Sequence, residues 1–323
     1  MFYAFVKIIA RCALHLYCRH LQINKRELLD TEGPLLLAAN HPNSFLDAIL
    51  LCTLFNRPVY SLARGDVFKN NRIARILFSL KLLPVYRVSE GVENMDENYK
   101  TFDQCKDIFR QNGIVLIFSE GKCINEWHLR PLKKGTARLA ISSWEDGIPL
   151  KVLPVGINYN SFRQFGKNIH LYFGKFITQN DLTAENGYGR SVQEFNKLLQ
   201  EQLQKSVYEI SKTNPEERNK IFNSPPPFLL KILLFFPSVF GLILHAPLFL
   251  LLKQFIKVKM KDRDHYDSLV VALLFLSYPV YIALMASIVY MITHNGMAFL
   301  VLLILPLTAW CYLHYKKQTE QVM

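Results

Sequence analysis

Apolar residues between positions 35 and 176 occur in short runs that are separated by longer amphipathic stretches. The runs have the length of β-strands and are rich in branched or aromatic residues; they cover residues 35–39, 58–63, 114–118, 152–159 and 168–176. Helical patterns lie between and after them, at residues 68–83, 95–111, 131–145 and 191–211. This alternation predicts an α/β domain over residues 26–212, with a mostly parallel sheet flanked by helices.

The pattern changes after this domain. Residues 213–227 are polar and then proline-rich, which predicts a linker. Three long apolar segments follow, and each is close to or above the ~20 residues that a helix needs to cross a bilayer; they are 228–252, 268–293 and 296–314. The sequence therefore predicts a membrane region over residues 228–315.

The first apolar segment differs from the other two. Pro237, Gly241 and Pro247 are expected to break a helix near its middle. The loop 253–265 behind it is rich in lysine, and basic loops prefer the cytoplasm. A re-entrant or interfacial segment would keep this loop and the α/β domain on the cytoplasmic side, with the two later segments as spans. A spanning first segment stays open as the alternative.

Residues 1–25 have a helical pattern of a different kind. Lys7, Arg11, His15 and Arg19 recur at every fourth position and form one stripe on a helix, with apolar residues filling the rest. The segment has neither the uninterrupted apolar core nor the small-residue cleavage site of a signal peptide. We predict an amphipathic helix that lies in the membrane interface with its basic stripe toward the head groups; an ordinary packed helix is the alternative.

The charge of the chain supports a lipid partner. Lys and Arg number 38 against 26 Asp and Glu, which gives a formal net charge of +12 and indicates an anionic partner. Together with the apolar segments this favours membrane lipids, and the sequence shows no nucleic-acid-binding module. The six cysteines are scattered in mostly apolar runs, which predicts reduced thiols. No His or Cys spacing predicts a metal site.

The candidate chemistry begins in the stretch 38-AANHPNSFLDAIL-50, where a histidine interrupts an apolar pattern. Pro42 pushes His41 into an extended conformation at the end of a strand. Ser44 is a good N-cap, so a helix should begin at Phe45 and carry Asp47 in its first turn. We predict that the imidazole folds back onto this carboxylate and keeps its other nitrogen as a base. The alternative is that Asp47 only holds the helix start in a capping box with Ser44.

Further stretches follow this one along the chain; they are 84-PVYR-87, 118-FSEGK-122, 129-LRPLKKGTARLA-140 and 152-VLPVGI-157. With the histidine stretch they resemble, in order and spacing, the four motif blocks of the glycerolipid acyltransferases, which include glycerol-3-phosphate and lysophosphatidic acid acyltransferases. The resemblance covers about residues 30–180.

The chain departs from the usual pattern of this family at two places. Five residues separate His41 from Asp47 where the family usually has four. That spacing, and the third block, look like the subgroup that contains fungal glycerol-3-phosphate/dihydroxyacetone-phosphate acyltransferases. In the third block Lys122 and Cys123 stand where threonine and arginine are usual.

The resemblance implies an O-acyltransferase of phospholipid biosynthesis. A fatty acyl group would move from the thioester of acyl-CoA or acyl carrier protein to a hydroxyl of glycerol 3-phosphate or lysophosphatidic acid. His41 would act as the general base and Asp47 would orient it. No cofactor beyond the acyl-carrying co-substrate is expected.

The resemblance also implies a set of substrate-binding residues. Arg87 matches the arginine of the second block and is expected to bind the acceptor phosphate, because guanidinium suits bidentate pairing. Lys122 would assist it, Glu120 would orient a cation or a glycerol hydroxyl, and Gly121 would permit a tight turn. Another lysolipid or an amino-acid lipid as acceptor, and a lipid-binding homologue without turnover, remain as alternatives.

Overall fold

The computed structural model describes residues 1–86, 95–163, 166–183, 187–222, 227–259 and 265–316. The chain divides into two compact units. The first consists of Met1–Arg11, Gln22–Asn158 and His170–Ser211. The second consists of Cys12–Leu21, Tyr159–Ile169 and Lys212–Met323. One unit boundary lies near residue 212, and Tyr159–Ile169, inside the range 26–212, belongs to the second unit. The predicted domain bounds stay a prediction.

The strands form one seven-stranded sheet in the order β1-β7-β6-β2-β5-β3-β4. They are β1 (Cys18–Ile23), β2 (Leu35–Ala39), β3 (Val59–Arg64), β4 (Leu82–Val85), β5 (Ile114–Phe118), β6 (Lys151–Tyr159) and β7 (Lys167–Phe173). Strand β2 pairs in parallel with β5 and β6, and β3 pairs in parallel with β4 and β5. The mostly parallel α/β class predicted from the sequence is confirmed.

The helices account for most of the remaining described chain. They are α1 (Phe2–Tyr17), α2 (Phe45–Leu54), α3 (Asn71–Ser79), α4 (Met95–Arg110), α5 (Gly135–Glu145), α6 (Tyr188–Gln204), α7 (Pro215–Phe222), α8 (Phe228–Lys259), α9 (Tyr266–Thr293) and α10 (Val301–Tyr315). Every residue of the central strand β2 is fully buried. A continuous apolar strand of this kind is expected where helices cover both faces of a parallel sheet.

Two strands lie where the sequence predicts helix. Strand β4 occupies the end of the predicted helix 68–83, because α3 stops at Ser79 and Lys81 has a φ of +62°, which a helix cannot continue. The run 82-LLPV-85 is too short for its periodicity to distinguish strand from helix. Pro84 is tolerated because β4 is an edge strand. Strand β1 similarly replaces the end of the helix predicted over residues 1–25.

Lys7 and Arg11 of the basic stripe bind the protein, not the head groups that we predicted for the stripe. The Lys7 ammonium donates to the carbonyls of Phe55 and Asn56, at 2.5 and 3.1 Å. The Arg11 guanidinium donates to the carbonyl of Thr53 at 2.6 Å from Nη2. Both cations thus satisfy carbonyl groups at the C-terminal end of α2, where a helix attracts positive charge. The interfacial role of this segment remains a prediction, but the face toward solvent is the apolar one.

The second unit contains three helices that are long and apolar enough to cross a membrane, at Phe228–Ile256, Tyr266–Thr293 and Gly296–Tyr315. Helix α8 runs without interruption through Pro237 and Pro247, so the predicted break is wrong. Whether this segment crosses a membrane or lies in its interface stays a prediction. The segment predicted as linker contains the short helix α7.

Side chains around the prolines explain why α8 continues. A proline removes one backbone donor, and apolar helices tolerate this when hydroxyl groups satisfy nearby carbonyls. Ser238, next to Pro237, donates to the Leu234 carbonyl of its own helix and to the Cys311 carbonyl of α10. The Tyr281 hydroxyl donates to the Leu244 carbonyl, close to the second proline.

The second unit also holds a buried ion pair. The Lys167 ammonium lies 2.5 Å from the Asp267 carboxylate, and both side chains are almost completely excluded from solvent. The ammonium also donates to the Ser161 carbonyl, and the Tyr17 hydroxyl donates to Asp267 Oδ1 at 2.9 Å. The pair joins strand β7 to the first turn of α9.

Candidate active site

The chain leaves the sheet at Asn40, directly after β2. The Asn40 side chain forms two hydrogen bonds with the backbone of Ile157 in β6, accepting from the amide at 2.8 Å and donating to the carbonyl at 3.1 Å. An asparagine that pairs in this way extends the contact between two strands beyond their ladder. It fixes the position at which His41 and the following turn begin.

His41 and Asp47 are in contact, as the sequence predicts. The distance from His41 Nδ1 to Asp47 Oδ2 is 2.9 Å, and the same carboxylate oxygen accepts the Asn43 amide at 2.8 Å. The Asp47 side chain is fully buried and the His41 side chain is 17% exposed. Because a carboxylate accepts at Nδ1, the neutral imidazole carries its proton there and Nε2 is the acceptor. Within the described chain no hydrogen bond to Nε2 is formed.

Two further contacts hold the histidine. Its ring stacks on the ring of Phe118, the last residue of β5, with centroids 3.9 Å apart and planes 10° from parallel. Its backbone amide donates to Glu120 Oε2 at 3.0 Å. Strand β5 is the parallel neighbour of β2, so the ends of two adjacent strands fix the imidazole from different sides. This arrangement leaves little freedom for the ring to turn away from Asp47.

The start of α2 differs from the prediction in one detail. The helix begins at Phe45, as expected, and Ser44 stands at the N-cap position, but its side chain makes no capping hydrogen bond. Ser44 has a φ of +52°, a left-handed conformation that reverses the chain between His41 and the helix. The Asp47 carboxylate receives the Asn43 amide at this end. One carboxylate thus serves both the helix start and the imidazole, and the alternative of a capping box with Ser44 is wrong.

Glu120 lies buried beneath the histidine and binds a cation. Its Oε1 accepts the backbone amide of Arg130 at 3.0 Å, and its Oε2 lies 3.2 Å from Arg130 Nη2. The same guanidinium also donates to the Lys122 carbonyl. Of the two roles expected for Glu120, the structure shows the orientation of a cation.

Arg130 was not among the residues that the sequence singled out. The signal for it was present, because the third block lacks the usual arginine at Cys123 and the stretch 129-LRPLKKG-135 follows closely. A buried carboxylate needs a compensating cation or several donors. The absence of the usual guanidinium at position 123 could therefore have indicated that a nearby arginine supplies it.

Gly121 and Lys122 form the turn after β5. Gly121 has a φ of +69°, a conformation that favours glycine, and a Cβ there would lie 3.0 Å from Lys133 Cγ. This agrees with the tight turn expected at that position. The Lys122 side chain is exposed, while its carbonyl accepts from Arg130. The Asn125 amide group donates to the Pro42 carbonyl at 2.7 Å, which ties the same loop to the histidine turn.

The predicted phosphate ligand Arg87 lies outside the described residues. Two other cations of residues 57–87 are in ion pairs at the surface: Arg57 pairs with Glu32, and Arg64 Nε donates to Asp66 at 3.1 Å. Such exposed pairs leave a guanidinium accessible and contribute little to stability. No group of three or more potential ligands that could hold a metal occurs within the described ranges.

Comparison with known proteins adds the family. Residues 20–158 match the family model described as Acyltransferase. No curated protein matches the chain. Among solved structures, it is similar to the crystal structure of the 1-acyl-sn-glycerophosphate (LPA) acyltransferase PlsC from Thermotoga maritima, with 14% identity, a TM-score of 0.47, and coverage of 70% of this chain and 81% of that one. The family match includes all four motif blocks and both His41 and Asp47, so residues 20–158 are similar to the acyltransferase family.

Proposed function

We propose that the chain is a membrane-bound O-acyltransferase that moves a fatty acyl group from acyl-CoA or acyl carrier protein to a hydroxyl of glycerol 3-phosphate or lysophosphatidic acid. The observation that carries the proposal is the 2.9 Å contact between His41 Nδ1 and the buried Asp47 carboxylate, on a histidine that remains partly exposed. The match of residues 20–158 to the Acyltransferase family model supports acyl transfer in general.

The geometry suits direct attack by the acceptor alcohol. His41 Nε2 takes the proton of the acceptor hydroxyl as its oxygen attacks the thioester carbonyl. The tetrahedral intermediate collapses with cleavage of the C–S bond, and the imidazolium returns the proton to the departing thiolate. Asp47 keeps Nδ1 as a donor and stabilises the imidazolium between these steps. No protein nucleophile is required, because the acceptor oxygen itself forms the new ester bond.

The acceptor phosphate requires cations near the histidine. We assign Arg87 to it from its place in the second block, with Lys122 in support because its side chain is exposed beside the histidine loop. Arg130 pairs with Glu120 and donates to the Lys122 carbonyl, and so fixes the loop that carries Lys122. A different lysolipid or an amino-acid lipid is the second candidate acceptor, because buried Cys123 occupies the usual arginine position of the third block.

The membrane location follows from the second unit. Its three long apolar helices are compatible with membrane association. We place the catalytic unit on the cytoplasmic face, because residues 253–265, which include the end of α8, and the chain after Tyr315 carry lysines, and such segments prefer the cytoplasm. This placement goes with an α8 that is re-entrant or interfacial and with α9 and α10 as the spans.

The direct test is acyl transfer by the purified full-length chain in detergent or liposomes. Labelled acyl-CoA and labelled acyl carrier protein are each offered with glycerol 3-phosphate, lysophosphatidic acid, other lysophospholipids and amino-acid lipids. We expect transfer to a glycerol phosphate, and we expect His41→Ala to lower the rate by about 10²–10⁴-fold, the usual contribution of a positioned base.

A matched histidine controls for the substitution itself. His128 lies 3.2 Å from Glu126 on an exposed loop, and His128→Ala should leave the rate close to that of the unmodified chain. Transfer to no acceptor would exclude the enzymatic function, and near-normal turnover of folded His41→Ala would exclude this mechanism. Transfer only to lipids without a glycerol phosphate would select the second candidate.

A further inference from the structure

We propose that helix α3 and the turn before it form a membrane-docking surface of the first unit, whose partner is the anionic headgroup layer of a lipid bilayer. The surface consists of Val67, Arg72, Ile73, Arg75 and Ile76. It lies apart from the histidine and does not depend on the acyl-transfer step.

The first observation is that the apolar side chains of α3 point to solvent. Ile73 is 48% exposed, Ile76 is 53% exposed, and Val67 in the preceding turn is 44% exposed. Ala74 is the buried residue of this helix. A surface helix normally turns its large apolar residues to the core and its charges to water. Clustered apolar side chains on the outside instead indicate a surface that meets another apolar phase.

The second observation is the position of the charges. Ile73 and Ile76 are three residues apart and form one row along the helix, and Arg72 and Arg75 form the next row. Across the described chain neither arginine forms an ion pair with a carboxylate, unlike nearby Arg64, which is held by Asp66. The result is an apolar row directly beside a row of uncompensated guanidinium groups. Helices that lie in the interface of anionic membranes have this pattern, because long basic side chains reach the head groups while apolar ones enter the acyl boundary.

The third observation is that the chain just after α3 contacts the start of α1. Lys81, just after α3, lies with its ammonium 5.7 Å from the centre of the Tyr3 ring, and the Tyr3 hydroxyl accepts the Val59 amide at 3.3 Å. In α1, Phe5 and Ile8 are largely exposed. Because Lys7 and Arg11 are turned inward to α2, this part of α1 also presents apolar side chains outward. Both helices of this unit thus present apolar side chains to solvent.

A lipid surface explains both features better than a protein partner does. An apolar row alone could bind a protein, but two neighbouring arginines without a carboxylate partner among the described residues fit an extended anionic layer better than a single acid. Strands β2 and β3 are both parallel to β5, so their C-terminal ends lie at the same end of the sheet. His41 follows the end of β2, and α3 follows the end of β3 after a short turn. Docking through α3 would therefore hold the catalytic edge of the sheet near the bilayer from which a lipid acceptor comes.

The test measures the depth of α3 in a bilayer. Ile76→Cys, in a Cys12→Ser background of the full-length chain, is labelled with an environment-sensitive fluorophore and reconstituted in phosphatidylcholine vesicles with and without phosphatidylglycerol. We expect a blue shift of the emission and quenching by doxyl-labelled lipids in the vesicles that contain phosphatidylglycerol. Gln200→Cys on exposed α6 is the matched control and should show neither effect.

The charge contribution is tested on the same labelled protein. Arg72→Gln with Arg75→Gln should lower the ratio of docked to undocked label by about fivefold for each charge removed. Lys197→Gln with Lys205→Gln, on the exposed side of α6, should leave the ratio unchanged. The proposal is overturned if the label at position 76 stays unquenched in anionic vesicles, or if its blue shift depends on protein density and so reports contact between copies.

Discussion

Two buried aspartates in this protein have the same local setting, but their basic partners differ in accessibility. Asp47 stands in the first turn of α2 and Asp267 in the first turn of α9, and each contacts a basic side chain. The partner of Asp47 is His41, which is partly exposed. The partner of Asp267 is Lys167, which is not exposed at all. A buried carboxylate thus indicates chemistry only where its partner keeps an accessible atom.

The difference has a physical basis in what each partner can do. An imidazole held at Nδ1 can gain and lose a proton at Nε2, and the carboxylate stabilises the charged form when it appears. The Lys167 ammonium is already enclosed by Asp267 and by the Ser161 carbonyl. Burial and the adjacent Asp267 carboxylate also raise the pKa of Tyr17 well above its ordinary value, so its hydroxyl remains a neutral donor to that carboxylate. The first pair is arranged to react and the second to stay fixed.

The largest expected effect comes from removing the charge of the reactive pair. Asp47→Asn should lower the rate of acyl transfer by about 10²–10⁴-fold, because an amide no longer fixes the imidazole tautomer or stabilises the imidazolium. The free energy of unfolding should change by no more than about 1 kcal/mol, since the amide oxygen can still accept the Asn43 amide. Steady-state rates and chemical denaturation of the same preparation measure both quantities. If Asp47→Asn were unstable but kept a normal rate per folded molecule, Asp47 would be a structural aspartate like Asp267, contrary to this prediction.

The fixed pair should show the opposite result. Lys167→Ala should lower the free energy of unfolding by about 3–5 kcal/mol, because it leaves the Asp267 carboxylate buried without its cation. The molecules that remain folded should transfer acyl groups at the normal rate. Thermal unfolding in detergent and the rate per folded molecule are the two measurements.

A double substitution separates ion pairing from packing in this prediction. Lys167→Met with Asp267→Leu replaces both charges by apolar groups, and such replacements of buried pairs are often neutral or stabilising. We expect most of the lost stability to return. A double variant as unstable as Lys167→Ala would mean that shape, and not the uncompensated charge, determines the loss.

Local and distant contacts differ in how far the sequence could predict them. The run before His41, the proline after it and the acid in the next helical turn are close in the chain, so local backbone preferences were enough to predict that imidazole and carboxylate meet. The Lys167–Asp267 pair joins segments that only the folded chain brings together, and no pattern in either segment names its partner. The direction of the α1 stripe is a further example, because Lys7 and Arg11 are drawn to carbonyls of a helix that periodicity does not reveal. Continuity of α8 likewise depends on hydroxyl groups supplied from other helices.

The smallest expected effect concerns a third buried carboxylate, Glu120, which stands between the two cases. Its partner Arg130 is 15% exposed, close to the value for His41, but its Nη2 is engaged by Glu120 and by the Lys122 carbonyl. We therefore expect Arg130 to position the site without exchanging protons. Hydrogen bonds to charged groups contribute about 1.5–3 kcal/mol, so Arg130→Met should lower acyl transfer roughly 10- to 100-fold.

Three readouts distinguish positioning by Arg130 from a purely structural role. Arg130→Lys should recover part of the rate, since an ammonium can still neutralise Glu120 but cannot also reach the Lys122 carbonyl in the same planar geometry. The loss should appear in kcat, because Glu120 accepts the amide of His41, and KM for the acyl donor should change little. Arg138→Met, on the exposed face of α5, should match the unmodified chain. A higher KM for the phosphorylated acceptor with unchanged kcat in Arg130→Met would contradict this role. The guanidinium would then bind the substrate, and Glu120 would orient Arg130 rather than position His41.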